Sequence, residues 1–182
     1  MKASLIFAIG LALASLAPGV AAQPWLEVAG EIGYTRVNVQ DWLGAGTYDA
    51  DYLNYGGSVA ALVGSRGPRG IQVGVEAGLI HMITYYGFYN AERRSADVNA
   101  WRLLGLVRYW PGEAEWFLEF AAGINTYGTT TDPTFGAGAG GLFDIAERWS
   151  VLAKGRLMLI SSGLSPIVPI QLQTGLVYQL GR

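Results

Sequence analysis

Residues 25–35 of the chain read WLEVAGEIGYT, and this stretch decides the fold. Apolar or small side chains occupy every second position from Leu26 to Tyr34, and the positions between them include Glu27 and Glu31. Successive side chains of an extended chain point to opposite faces, so a period of two gives a strand with one apolar and one polar face. The stretch therefore predicts a half-polar β-strand rather than a helix.

The same alternation recurs in seven further segments, which makes eight predicted strands. They lie at about 53–63, 72–84, 101–109, 115–125, 134–143, 150–159 and 170–179. The sixth strand is the weakest, because glycine and alanine at 136–141 hardly distinguish its faces. These glycines would either let the strand bend sharply or make room for bulky interior neighbours such as Arg102 or Arg156. A transmembrane strand needs about 9–11 residues and a soluble one averages about five or six, so strands of about ten to fourteen residues favour a bilayer. We predict an all-β fold, a closed eight-stranded antiparallel up-and-down transmembrane β-barrel.

The charged residues of these segments fall on one face. Of ten charged residues in the predicted strands, nine lie on the less apolar face, and the exception, Arg36, lies at the end of the first strand. An Arg or Lys at the bilayer mid-plane costs about 2–4 kcal/mol, which explains this segregation. The nine are predicted to form a buried ion-pair network inside the barrel: Glu27, Glu31, Glu76, Arg102, Arg108, Glu115, Glu119, Lys154 and Arg156. Because the planar fork of Arg can bridge two carboxylates, Arg102 and Arg108 are the predicted hubs.

Composition and the first residues limit the class of protein. Residues 1–22 combine Lys2, an apolar stretch at 5–16 and small residues before position 23, which predicts a signal peptide followed by a barrel domain at 23–182. The chain has no cysteine and one histidine, so we expect no thiolate or other metal site and no cofactor. Its net charge of −2 argues against nucleic acid as a partner.

The connections alternate between short and long. Short turns are predicted at 65–69, 111–114 and 144–148 and longer loops at 38–51, 86–96, 127–133 and 161–166. Outer-membrane barrels have short periplasmic turns and longer outer loops. In the second long loop, Arg93 and Arg94 are candidates for contacting lipopolysaccharide phosphates. Four tryptophans are predicted to lie at the periplasmic membrane interface, namely Trp25, Trp110, Trp116 and Trp149.

These features resemble the small outer-membrane β-barrel superfamily, the OmpA/OmpX-type eight-stranded barrels of Gram-negative bacteria. Residues 173–180, QTGLVYQL, are similar to the family's C-terminal insertion signal through Gln173, Gly175, Tyr178 and Leu180. The resemblance implies a place in the outer membrane, contact with its lipid and lipopolysaccharide, and recognition of the last strand by the barrel-assembly machinery. We expect a monomer.

The resemblance leaves the function open, since the fold hosts envelope-stabilising proteins, adhesins, solute conduits and lipid A enzymes. Lipid A deacylases of this architecture use a His-x-Ser arrangement, whereas His81 is followed by Met82 and Ile83. We predict a protein that is not an enzyme, with a plugged polar interior and a structural or cell-surface role whose ligand is open. The alternative is a small-solute channel, and the third possibility is a lipid A-modifying enzyme.

Overall fold

The computed structural model describes residues 23–40, 47–87, 93–112, 115–161 and 166–180, with the backbone alone at 35–40, 47–52, 84–87, 93–97 and 166–167. The strands are β1 (Gln23–Gln40), β2 (Thr47–Gly64), β3 (Ile71–Gly87), β4 (Arg93–Tyr109), β5 (Trp116–Tyr127), β6 (Thr130–Ala146), β7 (Trp149–Ser161), β8 (Pro166–Ile167) and β9 (Ile170–Gln179). Within these ranges no helix is long and apolar enough to cross a membrane. The predicted signal peptide at 1–22 lies outside the described residues.

The strands form a closed antiparallel ring. Each strand from β1 to β7 pairs with the next, and β9 pairs with both β7 and β1. The two-residue β8 also pairs with β7, so β8 and β9 are two parts of one eighth strand. Between them, the Pro169 carbonyl accepts a hydrogen bond from Met158 N at 3.0 Å. Pro169 has no N–H of its own to donate to a ladder. The predicted closed eight-stranded barrel is confirmed.

Several strands are longer than the sequence predicted. β1 and β2 have 18 residues each, and β3, β4 and β6 have 17. The extra residues come from segments predicted as loops, since β1 runs to Gln40, and β4 begins at Arg93. A hairpin can continue its ladder beyond the bilayer, so the membrane span sets a minimum strand length and not a maximum.

The predicted long loop at 127–133 is wrong. β5 ends at Tyr127 and β6 begins at Thr130, so a two-residue turn replaces the loop. Gly128 has φ of 56°, in the left-handed region that tight hairpin turns require. Thr130 and Thr131 then favour extended backbone because they are β-branched. We call this turn's end of the barrel the upper end, and the end with the 65–70, 110–115 and 147–148 connections the lower end.

Side chains alternate between a buried inward face and an exposed outward face. Of the ten charged side chains described within the strands, nine are buried, and the exposed one, Asp144, lies near the lower end of β6. The outward face carries large apolar residues, with Ile32 at 59% exposed, Trp101 at 66% and Phe120 at 58%. A barrel with a charged interior and an apolar exterior is suited to the hydrocarbon of a bilayer and not to water. The fold is that of a transmembrane β-barrel.

Candidate functional site

The charged interior is the most distinctive chemical feature of the molecule. Eight side chains form it, each at most 5% exposed: Glu27 and Glu31 on β1, Glu76 on β3, Arg102 and Arg108 on β4, Glu119 on β5, and Lys154 and Arg156 on β7. The even sequence spacing within each strand puts them all on the inward face. Four carboxylates face four cations, so the network is electrically neutral.

The upper part of the network is centred on Arg102. Its Nη1 donates to Glu31 Oε1 at 3.0 Å and to Gln171 Oε1 at 3.1 Å. Its Nη2 donates to Glu76 Oε1 at 2.8 Å and also to Glu31 Oε2. Gln173 donates its side-chain amide to Glu31. The two glutamines, which the sequence did not indicate as network members, extend the network to β9.

The middle of the network joins β7 to three other strands. Arg156 donates to both oxygens of Glu76, at 3.1 and 2.9 Å, and also to Glu119 Oε1. Lys154 Nζ lies 2.9 Å from Glu27 Oε1, 3.3 Å from Glu119 Oε1 and 3.5 Å from Glu76 Oε2. These contacts connect residues on β1, β3, β5 and β7 across the lumen.

The lower part of the network is centred on Arg108. Its Nη2 donates to Glu119 Oε2 at 2.7 Å and to Glu27 Oε2 at 2.9 Å. Its guanidinium lies 3.9 Å from the centre of the Phe117 ring. Arg102 and Arg108 each bridge two carboxylates, but Arg156 also bridges two and Lys154 contacts three, so the two predicted hubs do not stand out among the cations. Two carboxylates make more contacts, because Glu76 and Glu119 each contact three cations.

Glu115, predicted to be interior, is exposed and lies outside the network. It shares the parity of Glu119, but β5 begins at Trp116, so Glu115 lies below the lumen in the connection from β4. Its backbone carbonyl accepts a hydrogen bond from Leu142 N at 3.0 Å. Parity identifies an inward position only where the residue lies within the paired strand.

Two of the four tryptophans predicted at the membrane interface are instead inside the barrel. Trp25 is 6% exposed and Trp110 is 0% exposed, whereas Trp116 and Trp149 are 47% and 43% exposed. Trp25 shares the parity of Glu27, and Trp110 shares that of Arg108, so the alternation itself places them inward. The prediction from strand ends neglected this parity.

An apolar layer, which we call the floor, lies below the network. It consists of Trp25, Leu62, Trp110, Phe117, Leu142, Leu152 and Val177, all buried in one cluster. Trp110 is tilted against Phe117 with ring centres 5.1 Å apart, and its indole N–H donates to Gln72 Oε1 at 3.4 Å. Apolar side chains from six strands and the Trp110 connection therefore meet at the lower end of the lumen.

Arg66 crosses the lower opening of the barrel. It belongs to the turn between β2 and β3, and its guanidinium contacts Asp144 Oδ1 at 2.5 Å and the Leu142 carbonyl at 3.0 Å. It also lies 5.5 Å from the Trp110 ring centre, and Ser150 Oγ donates to Asp144 at 2.6 Å. The β2–β3 turn and β6 lie on opposite sides of the ring. We call this connection the Arg66 strap.

The inward face of β6 is lined by glycine, which leaves space for the cations of β7. A Cβ atom added at Gly136 would lie 3.1 Å from Arg156 Cδ and 2.4 Å from Met158 Sδ. One added at Gly140 would lie 2.5 Å from Lys154 Cβ. Because these glycines have no side chains, the inward face of β6 leaves the space that Lys154 and Arg156 occupy.

The remaining predicted residues lie elsewhere. His81 is half-buried on the outward face, with Nδ1 3.0 Å from Asn99 Oδ1. The side chains of Arg93 and Arg94 lie outside the described ones. Of the proposed insertion signal, Gln173 faces inward on Glu31, Gly175 lies against β1, Tyr178 packs on Trp149 with ring centres 4.7 Å apart, and Leu180 is 54% exposed. In the described part of the chain, no three His, Asp or Glu side chains are grouped so as to hold a metal ion.

Comparison with known proteins finds similarity in structure only. No protein-family model matches the sequence, and no curated protein matches it. The solution NMR structure of the de novo designed TMB2.3 is 16% identical, with a TM-score of 0.43, and covers 90% of this chain and 100% of its own. Neisserial surface protein A is 12% identical, with a TM-score of 0.36, covering 88% of this chain and 100% of its own.

The outer membrane protease OmpT from Escherichia coli is 10% identical, with a TM-score of 0.37, and covers 87% of this chain and 96% of its own. At these identities and TM-scores the likenesses carry no information on function. The strand pairing and the apolar exterior themselves establish the transmembrane β-barrel.

Proposed function

We propose that the protein is a non-conducting barrel of the Gram-negative outer membrane with a structural or cell-surface role. The observation that carries the proposal is the neutral network of four carboxylates and four cations lying on an apolar floor. An eight-stranded barrel has an interior just wide enough for side chains to fill it. Here those side chains are held by mutual ion pairs, so a solute would have to break them to pass.

The proposal includes an orientation and partners. We infer that the lower end faces the periplasm, because the upper hairpins extend furthest, with the β1–β2 ladder running to Gln40 and Thr47 and the β3–β4 ladder to Gly87 and Arg93. Export through the predicted signal peptide precedes assembly, and the assembly machinery would read Gln173, Gly175, Tyr178 and Leu180 in the last strand. Arg93 and Arg94 would then contact lipopolysaccharide at the outer surface, and the barrel would act as a monomer.

No catalytic role is proposed for the interior carboxylates. Glu76 and Glu119 each contact three cations, and Glu27 contacts Lys154 and Arg108. A general acid or base must lie within hydrogen-bond reach of a substrate, and these carboxylates are buried and already engaged by fixed cations. The contacts of the network therefore support a structural role.

Planar-bilayer recording of the refolded protein tests the proposal against the channel alternative. Folding is first verified by heat-modifiable migration in gels, and the wild-type protein is expected to pass no steady ion current. The double substitution Arg66→Ala with Trp110→Ala, which opens the strap and the floor but leaves the ion-pair network in place, should pass no steady current either. A stable wild-type current would contradict the proposal and favour a small-solute channel. Altered acyl chains in the lipid A of cells that express the protein would favour an enzyme.

A further inference from the structure

Asp132 is a buried carboxylate that stands apart from the network. It is the third residue of β6, faces inward near the upper end, and is 6% exposed. The Tyr127 hydroxyl donates a hydrogen bond to it. In the described part of the chain no cation forms a salt bridge with Asp132, although every network carboxylate contacts at least one.

The charge of the described interior is consequently unbalanced. Five inward carboxylates, the network's four and Asp132, face four cations, which leaves a net charge of −1. A buried charge is costly unless it is paired and hydrogen-bonded. The nearest network cation in register is Arg102, the cross-strand neighbour of Asn125; both of its Nη atoms are used on Glu31, Glu76 and Gln171, and its Nε is buried and donates to neither Asp132 nor Asn125.

The surroundings of Asp132 offer further acceptors and few donors. Asn125 is its direct cross-strand partner on β5, is 3% exposed, and its Oδ1 is buried without a hydrogen-bond partner. Asn54, on β2 toward the same end, is 6% exposed and its Oδ1 is likewise unpartnered. Thr134 directs its hydroxyl to the backbone carbonyl of Asp132, at 3.4 Å, and so does not donate to the carboxylate.

We propose that Asp132 and Asn125 form a binding site for a monovalent cationic group that carries N–H donors, a primary ammonium. One positive charge would neutralise the part of the interior whose side chains are described, and the N–H groups would satisfy both the carboxylate and the orphaned amide oxygen. A divalent metal ion fits less well, because one carboxylate would leave an excess positive charge. This inference goes beyond the proposed function and requires only the folded barrel.

Thermal unfolding of the refolded protein in zwitterionic micelles tests the site. Methylammonium chloride and tetramethylammonium chloride are compared at equal pH and ionic strength, because both are monovalent but only methylammonium donates hydrogen bonds. We expect a saturable rise in the unfolding temperature with methylammonium and none with tetramethylammonium. Equal responses to the two cations would overturn the proposal.

Two substitutions locate the effect. Asp132→Asn should abolish the response to methylammonium, and Asp144→Asn, which removes the exposed carboxylate at the opposite end, should preserve it. Asn125→Leu should weaken methylammonium binding at least about fivefold, because it removes one acceptor to a charged donor. If Asp132→Asn fails to give a heat-modifiable barrel, the Asn125→Leu result decides. An unchanged response in a folded variant of either residue would refute the site.

Discussion

Each charged side chain of the interior depends on several others. Arg102 is 2% exposed and contacts Glu31 and Glu76 on two different strands. Its removal would leave two buried carboxylates with fewer cations, and breaking a buried pair by removing one partner typically costs about 3–5 kcal/mol. Conversely, exposed charges at the turns contribute little.

We therefore expect Arg102→Ala to lower the free energy of unfolding by about 3–5 kcal/mol, measured by urea titration in micelles, with targeting to the outer membrane intact. Arg148→Ala, at an exposed turn position, is the matched control and should change it by less than about 1 kcal/mol. Arg102→Lys should fall between the two, because Lys keeps the charge but loses the planar fork. Equal stability of the three variants would refute the buried network.

A second residue-scale prediction concerns the glycine face of β6. A methyl group at Gly140 would lie 2.5 Å from Lys154 Cβ and 2.8 Å from Phe117 Cζ. Overpacking typically costs about 1–3 kcal/mol, so Gly140→Ala should lower the unfolding free energy by that amount. Gly112→Ala is the control, since a methyl group there meets nothing within 4 Å. If the two changes were equally mild, Gly140 would not be needed for packing.

At the scale of elements, the Arg66 strap ties one turn to the opposite wall. Asp144 is 60% exposed in its side chain, so the pair is solvated and its net contribution to stability is about 0–1 kcal/mol. Its structural effect is to cover Trp110, which closes the lower end. Stability and closure can thus be separated experimentally.

We expect Arg66→Ala to change the unfolding free energy by less than about 1 kcal/mol while speeding hydrogen exchange of the Trp110 indole N–H, followed by NMR. The control Arg148→Ala should leave that exchange rate unchanged. If exchange at Trp110 stayed equally slow in Arg66→Ala, the floor alone would close the lower end.

The elements also show how far the sequence could predict the site. Period-two alternation correctly predicted the barrel and placed eight charged residues inward, because a strand has no other way to keep them out of lipid. Asp132 was missed because it fell in a predicted loop, although it shares the parity of buried Thr134. Which carboxylate contacts which cation depends on the strand register around the ring, and the alternation of side chains does not determine that register.

At the scale of the whole molecule, the apolar exterior determines that the barrel is stable in a lipid environment. Phe120, in the middle part of β5, is 58% exposed, and Ile145, next to the lower turn of β6, is 63% exposed. Charged substitutions on the lipid face cost about 2–4 kcal/mol at the mid-plane and about 0–1 near the interfaces. The two outward-facing positions therefore compare a site in the middle of the span with one near its lower edge.

We expect Phe120→Arg to reduce the free energy of folding into phospholipid vesicles by about 2–4 kcal/mol and Ile145→Arg by about 0–1 kcal/mol. Equilibrium unfolding in guanidinium, followed by tryptophan fluorescence, measures both. Similar values for the two variants would mean that the apolar exterior does not span a bilayer in this orientation.

The ion pairs of the network also constrain the order in which the strands enter the bilayer. Lys154 meets Glu27 across 127 positions, and Gln173 meets Glu31 across 142. A β1–β2 hairpin that inserted alone would carry Glu27 and Glu31 into the hydrocarbon without counter-ions, because their cations lie on β4 and β7, which are made later. We therefore infer that β1 enters the bilayer only together with β4 and β7.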